Sequence, residues 1–215
     1  MAHELRTPMT VILGNASLLA TRRRELSDAE SNGAVADIEV ELDRLNSTMN
    51  DLVTLARFDH GLILEREPLA IGALVDRVTE AFIGASKRSV SIMGTCEAVV
   101  EGDELCLEGL LKNLLNNANK YSPPNSLIEV TIEALPGECR IAVLDRGIGI
   151  PPDIGEELFH AFFRSERVRG SIRGLGLGLT LAKKVVEGHE GRIWAEPRVG
   201  GGSQFVFALP TVSHG

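Results

Sequence analysis

Apolar residues near the start of the chain recur at alternating spacings of four and three, the repeat that lines one face of a helix. The first such run is Leu5, Met9, Ile12, Ala16 and Leu19; after a polar connector read over 26–36, the second is Ile38, Leu42, Leu45, Met49, Leu52 and Ala56. The basic run Arg22-Arg23-Arg24 suits the C-terminal end of the first helix, where the macrodipole is negative. One hairpin of two helices cannot hide two heptad-like seams by itself. A dimer closing a four-helix bundle would hide them, and so would packing of the hairpin against the rest of its own chain. The spacing leaves both solutions open.

Gly61 ends this pattern, and from the Pro68 region short β-rich runs alternate with helical ones, so a domain boundary is expected near Gly61. The periodicity predicts a helix over Ile71 to Ser86, strands near Val90 to Met93 and Ala98 to Glu101, and a helix from Asp103 to Tyr121 with Asp103 as N-cap. Strands over Leu127 to Leu135 and Cys139 to Leu144 are joined by Pro136-Gly137. A stretch rich in Gly and Arg, from Arg146 to Gly178, leads into a helix ending near Gly188. Two strands follow, Gly191 to Glu196 and Ser203 to Leu209, parted by Gly200-Gly201-Gly202. The fold class expected is α+β: a helical hairpin over 1–61, then over 62–215 an α/β sandwich with one mixed sheet carrying helices on a face.

A net charge of -8 and a pI near 5.2 argue against broad nucleic-acid or anionic-membrane binding, while leaving room for a local nucleotide site. Cys96, Cys106 and Cys139 are odd in number and lack metal-ligand spacing, so they read as small buried groups in a reducing compartment. No apolar run nears the roughly 18 residues of a membrane span. The abrupt start at Met1-Ala2-His3 is what a fragment with an upstream sensory or membrane portion would show.

Four short segments carry chemistry. In Ala2-His3-Glu4-Leu5-Arg6-Thr7-Pro8, His3 and Thr7 stack at i, i+4 and Glu4 adjoins the imidazole. A neutral imidazole is a nucleophile toward phosphorus, and a carboxylate can orient or accept the proton of its other nitrogen. A frayed, exposed histidine gives the same pattern. Pro8 is either a kink kept for a reason, at roughly 3 kcal/mol in a helix interior, or a first-turn residue. Along the helix ending in Tyr121, Asn113, Asn117 and Lys120 share one face, opposite Leu110, Leu111, Leu114 and Leu115. An asparagine carbonyl can complete the shell of a magnesium ion held mostly by phosphate and water, and Lys120 can pair with a phosphate; a solvated polar face has the same composition.

Asp145 lies at a strand end before Gly147 and Gly149, where its carboxylate can accept a hydrogen bond from adenine's exocyclic amine. An ordinary Asp-x-Gly turn is the alternative. Gly174, Gly176 and Gly178 precede a helix, an arrangement that presents backbone N–H groups to phosphate. Between the two glycine elements, Phe159, Phe162 and Phe163 beside Arg164, Arg167, Arg169 and Arg173 suit an anchored lid with Arg164 facing the transferred phosphoryl group, or a solvated loop over three buried phenylalanines. Trp194, His60, His160, His189 and His214 read as structural or exposed.

In order, spacing and setting, these segments resemble the phosphoacceptor, asparagine, glycine and phenylalanine boxes of bacterial two-component sensor histidine kinases, over Met1 to about Leu209. The resemblance implies a dimerisation and phosphotransfer hairpin followed by an ATP-binding domain of the Bergerat fold. It implies His3 as phosphoacceptor, Glu4 as its proton partner, and Thr7 as the residue that positions water when such kinases dephosphorylate their response regulator. ATP and Mg2+ are the implied ligands, with Asn117 on the metal and Asn113, Lys120 and Tyr121 supporting the nucleotide. Asp145 would read adenine, Gly147, Gly149, Gly174, Gly176 and Gly178 would shape its binding, and Arg164 would approach the γ-phosphate. A response regulator receiver domain and a second copy of the chain are the implied partners, with a cytoplasmic location.

The departures are Ala2 where the family usually has serine, Leu175 where threonine or serine is common, and a first helix lacking the turns that normally precede the phosphoacceptor. With His3 at a fraying end, this chain is expected to bind ATP better than it phosphorylates itself. A plain ATPase or ATP-driven clamp of the gyrase B or mismatch-repair kind shares the nucleotide fold without the histidine hairpin, and a non-catalytic dimerising scaffold would bind ATP without taking label.

Overall fold

The computed structural model describes residues 2–22, 25–151, 154–163 and 176–212, and at residues 2–5 the backbone alone. The chain divides into two compact units, Met1–His60 and Gly61–Gly215.

The first unit is a hairpin of α1 (Ala2–Arg22) and α2 (Asp28–Asp59). Ser27 starts α2 through a capping box: its side chain accepts the Glu30 N–H at 3.3 Å, and the Glu30 carboxylate accepts the Ser27 N–H at 2.8 Å. Such a cap contributes about 1 kcal/mol. The helix therefore begins well before the expected end of the connector, and residues 28–36 are helical. Their polarity reflects a solvent-facing surface, with Ala34 the buried member of that stretch; the Ser-x-x-Glu signature is the local signal that a periodicity search passes over.

The apolar stripe read on α2 is in fact two rows. Ala34, Ile38, Leu45, Leu52 and Leu55 are buried or half-buried. Leu42, Met49 and Val53 stay exposed, as do Met9 and Leu13 on α1. A spacing of alternating three and four merges rows that lie one position apart around the helix.

In the second unit, α3 (Ile71–Ser86), α4 (Glu104–Tyr121) and α5 (Gly178–Gly188) accompany a mixed sheet of order β2-β4-β5-β7-β6. Its strands are β2 (Val90–Met93), β4 (Ile128–Leu135), β5 (Glu138–Leu144), β6 (Arg192–Pro197) and β7 (Ser203–Pro210). β2 runs parallel to β4 and the other pairs are antiparallel. The expected helices and strands lie within a residue or two of these bounds. One strand was not expected: β1 (Glu67–Ala70) pairs antiparallel with β3 (Val99–Gly102) in a separate two-stranded sheet. Pro68 within β1 hides it from a propensity reading, since proline is tolerated only where a ladder has an edge. A 3-10 turn, Gly155–Phe159, was likewise unforeseen.

One sheet face builds the core. Val130, Val143 and Phe205 lie in one cross-strand row and Ile132, Ile141 and Phe207 in the next, with Leu107, Leu110, Leu111, Leu114 and Leu115 of α4 in the same core. Each fully buried side chain of this kind contributes roughly 1.5–3 kcal/mol. Asp103 caps α4, accepting the Cys106 N–H at 3.1 Å. On the other face the guanidinium groups of Arg140 and Arg192 lie 5.6 and 5.5 Å from the ring centroid of Trp194, cation–π contacts that account for it structurally. Cys96 and Cys139 are buried free thiols in mutual contact, and burial pushes the half-buried Cys106 thiol up to about 12.

His189 ends α5 and is buried. Its Nδ1 lies 2.7 Å from the Val185 carbonyl and its Nε2 accepts the Asp103 N–H at 2.9 Å, so the ring is neutral with its proton on Nδ1 and ties the end of α5 to the start of α4. Burial, the largest cause, lowers its pKa from the ordinary 6.5. Below 6.5 the unfolded chain takes up a proton that the native ring resists, so this contribution to stability is full above 6.5 and is lost as pH falls toward the depressed native value. Thermal melts from pH 7.5 down to 5 will therefore show a decline in midpoint that is shallower in His189→Gln.

Candidate functional site

The leucine face of α4 decides where its asparagines point. With Leu107, Leu110, Leu111, Leu114 and Leu115 packed into the core, Asn113, Asn117 and Lys120, at i, i+4 and i+7, form a row along another side of the helix. Asn113 and Asn117 are half-buried, Lys120 is exposed, and its Nζ lies 5.4 Å from the ring centroid of the half-buried Tyr121. Asn113 lies against the start of α5: a Cβ on Gly178 would meet its Oδ1 at 2.2 Å. Its Nδ2 is buried with no hydrogen-bond partner among the described residues. A buried donor left unpaired costs about 1–3 kcal/mol, which an acceptor supplied by a ligand would recover.

Asp145 follows β5 directly and is buried. Its backbone N–H donates to the Ser203 carbonyl at 2.9 Å, continuing the β5–β7 ladder by one bond. Oδ1 accepts the N–H groups of Gly147 at 2.6 Å and Ser203 at 3.3 Å, which leaves Oδ2 outside both bonds. By strand alternation Asp145 points to the same side as Val143, the helix-covered face. Burial raises the Asp145 carboxyl above its ordinary range, and the bonds from Gly147 and Ser203 offset part of that rise. Gly147 makes a close approach that no side chain permits, since a Cβ there would lie 2.3 Å from the Tyr121 carbonyl oxygen and 2.8 Å from Asp145 Oδ1. That contact joins the C-terminal end of α4 to the turn after β5, so Asn117, Tyr121, Asp145 and Gly147 belong to one locus.

Gly149 has φ +74° and lies against Gly202. Gly176 has φ +70° and accepts the Phe162 N–H at 3.1 Å, while Gly178 is the first residue of α5. Phe159 is buried, Phe163 half-buried and Phe162 45% exposed, so the alternative of a loop over three buried phenylalanines does not hold. Arg164 and Gly174 lie outside the described residues, as do the side chains of His3 and Glu4. The backbone of both is in the first turn of α1, Thr7 is half-buried, and Pro8 is a buried residue inside the helix, past its first turn. Ser203, Gly202 and Thr180, whose buried Oγ1 has no partner among the described residues, were not singled out from sequence. The glycine run before Ser203 was the available signal.

These features together suit a flat, amine-bearing base against Asp145 and Gly147, and a chain of anionic groups along the α4 row toward the N-terminus of α5. Among the described residues no cluster of three His, Cys, Asp or Glu side chains could hold a metal ion. A divalent cation here would thus draw most of its oxygens from a ligand, which is how magnesium is usually bound beside phosphates. No helix among the described residues is long and apolar enough to cross a membrane.

Residues 102–213 match the family of histidine kinase-, DNA gyrase B-, and HSP90-like ATPases, and residues 1–61 match the His Kinase A (phospho-acceptor) domain. The chain is 35% identical over 220 residues to the signal transduction histidine-protein kinase/phosphatase MprB of Mycobacterium avium, a match covering 97% of this chain and 41% of that protein. It thus spans about two fifths of that relative's length. Among solved structures it is similar to histidine kinase ThkA in complex with response regulator protein TrrA (TM-score 0.74, 25% identity, 98% of this chain and 60% of that one). It is also similar to full-length ShkA in complex with AMPPNP (TM-score 0.70, 26% identity, 98% of this chain and 44% of that one).

The Asp145 environment has a measurable consequence. Its native pKa is raised above the ordinary 3.8, so the native state holds a proton that the unfolded state has released, and stability falls as pH rises from 3.8 through the native value. Asp145→Asn keeps an oxygen for the Gly147 and Ser203 donors and removes the buried charge. In the ligand-free protein its melting temperature at pH 7 will equal or exceed that of the parent, and the decline between pH 4 and 7 will flatten.

Proposed function

The chain belongs to the sensor histidine kinases, with a phospho-acceptor domain and an ATPase domain in one polypeptide, and from that premise we propose that it moves the γ-phosphoryl group of Mg-ATP onto His3 and then to an aspartate of a response regulator receiver domain. The observation that carries this reading is the buried, hydrogen-bonded Asp145 beside Gly147, which lies against the Tyr121 carbonyl at the end of the helix carrying Asn113 and Asn117. Residues 1–61 serve as the dimerisation and phosphotransfer domain and residues 62–215 as the catalytic ATP-binding domain. The buried free thiols and the need for ATP suit a cytoplasmic location.

Asp145 accepts the exocyclic N–H of adenine through its remaining oxygen, and Gly147 and Gly149 let the base approach the backbone. Asn113 donates its buried Nδ2 hydrogen to the nucleotide, with Tyr121 supporting it and Lys120 countering phosphate charge. Asn117 would hold Mg2+, which would supply charge stabilisation to the transfer. Gly174, Gly176 and Gly178 serve phosphate binding, and Arg164 neutralises charge on the group in transit. An imidazole nitrogen of His3 attacks the γ-phosphorus in line, the bond to the bridging oxygen breaks, and ADP leaves. Glu4 orients the ring and takes the proton from its other nitrogen. Thr7, one turn beyond His3, positions water for dephosphorylation of the partner regulator.

Two experiments check this. Labelling with γ-phosphate-labelled ATP will be lost in His3→Gln and reduced to background in Asn117→Ala with its fold retained; label surviving His3→Gln would refute the assignment of the acceptor. The exposed row of Leu42, Met49 and Val53, with Met9 and Leu13, is the surface on which a second copy closes a four-helix bundle. Leu42→Asp with Met49→Asp will shift the protein from dimer to monomer in sedimentation velocity, with little change in the far-UV spectrum of the second unit.

A further inference from the structure

A buried ion pair lies behind the carboxylate of Asp145, on the sheet face away from the helices. Arg198 follows β6, and its guanidinium reaches across β7 and β5 to the carboxylate of Glu129 on β4. Glu129 is in register with Leu144 and Leu144 with Gln204, positions that alternate with the core row of Val130, Val143 and Phe205, which puts Glu129 on the outer face. Both side chains are largely withdrawn from solvent, at 8% and 16% exposure. Arg198 Nη2 takes Glu129, and Nη1 lies 3.4 Å from the carbonyl oxygen of Asp145.

The turn carrying Arg198 is folded onto the same atom. The Arg198 N–H donates to the Gly202 carbonyl and the Gly201 N–H to the Arg198 carbonyl, both at 3.1 Å, and Gly202 approaches so closely that a Cβ would lie 2.0 Å from the Asp145 carbonyl oxygen. Ser203, next along, both donates to the Asp145 carboxylate and accepts from its backbone. The Asp145 backbone is held from one side of the sheet while its side chain faces the other. A buried ion pair offers little net stability over an apolar replacement, because desolvation offsets most of its attraction, so stability alone does not account for it.

We propose that the Arg198–Glu129 pair is a positioning element for base recognition: it sets the placement of Asp145, and thereby the preference for a purine bearing an exocyclic amine, without touching the nucleotide. The inference rests on the reading of Asp145 as the adenine-binding carboxylate. It extends that reading to two residues separated from Asp145 by 53 and 16 positions in the chain.

The test compares binding of ATP and of ITP, which carries a carbonyl in place of the amine, by calorimetry at equal concentrations of folded protein. Arg198→Met will weaken ATP about tenfold and leave ITP nearly unchanged, so the ATP-to-ITP ratio falls, and Arg198→Lys will recover part of it. The double variant Arg198→Met with Glu129→Met, which leaves no charge unpaired, keeps the test available should the single variant fail to fold. It will melt near the parent temperature yet retain the reduced ratio. A parental ratio in folded Arg198→Met or in the double variant would overturn the proposal, because a purely structural pair alters the folded fraction and not the choice of base. Asp145→Asn separates the two levels: if it leaves the ratio unchanged, the adenine reading itself fails, whereas a ratio lowered by Asp145→Asn and untouched by the Arg198 variants defeats the positioning role alone.

Discussion

The β5–β7 ladder ends at Asp145 and Ser203, and the arrangement of the candidate site depends on that junction. There the backbone bond from Asp145 to Ser203 is the last of the pairing, and the carboxylate turns to collect the N–H groups of Ser203 and Gly147. A buried carboxylate is unfavourable unless its oxygens are satisfied, so two backbone donors set its position more firmly than packing alone could. The turn that supplies Gly147 then lies against the Tyr121 carbonyl, which brings the asparagine row of α4 to the same place. The raised pKa of Asp145 is the residual cost of holding a charge there.

The hairpin obeys a different constraint. Its two apolar rows differ: one is buried or half-buried, and the other, with Leu42 and Met49 at heptad spacing, is exposed. The outer row is too regular for scattered surface residues, which is the ground for proposing a second copy as its occupant. In the second unit most long apolar side chains are covered by the three helices and the sheet, so the two units meet the same hydrophobic demand in different ways.

Much of the fold could be read before any coordinates. The leucines of α4 and its Asp103 cap defined that helix nearly to the residue, and the β4–β5 hairpin followed from Pro136-Gly137. The asparagine face was legible for the same reason, because burying one side of a helix dictates the other. The start of α2 was missed because the capping box of Ser27 and Glu30 lies in a polar stretch without an apolar row. The short β1 was missed because Pro68 argues against a strand, and only its pairing with β3 makes one. A single seam was expected on α2 where the structure has two.

Periodicity, caps and turn chemistry are local properties, and the amino-acid sequence by itself determined the helices, most strands and the residue types from which a nucleotide site can be built. Which of those residues meet was decided by tertiary structure. Nothing near Asp145 in the chain announces that Ser203 will supply its second donor, that Tyr121 will press on Gly147, or that Arg198 will cross two strands to reach Glu129. Those contacts come from the strand order β4-β5-β7-β6, and strand order depends on how the whole apolar surface is buried at once.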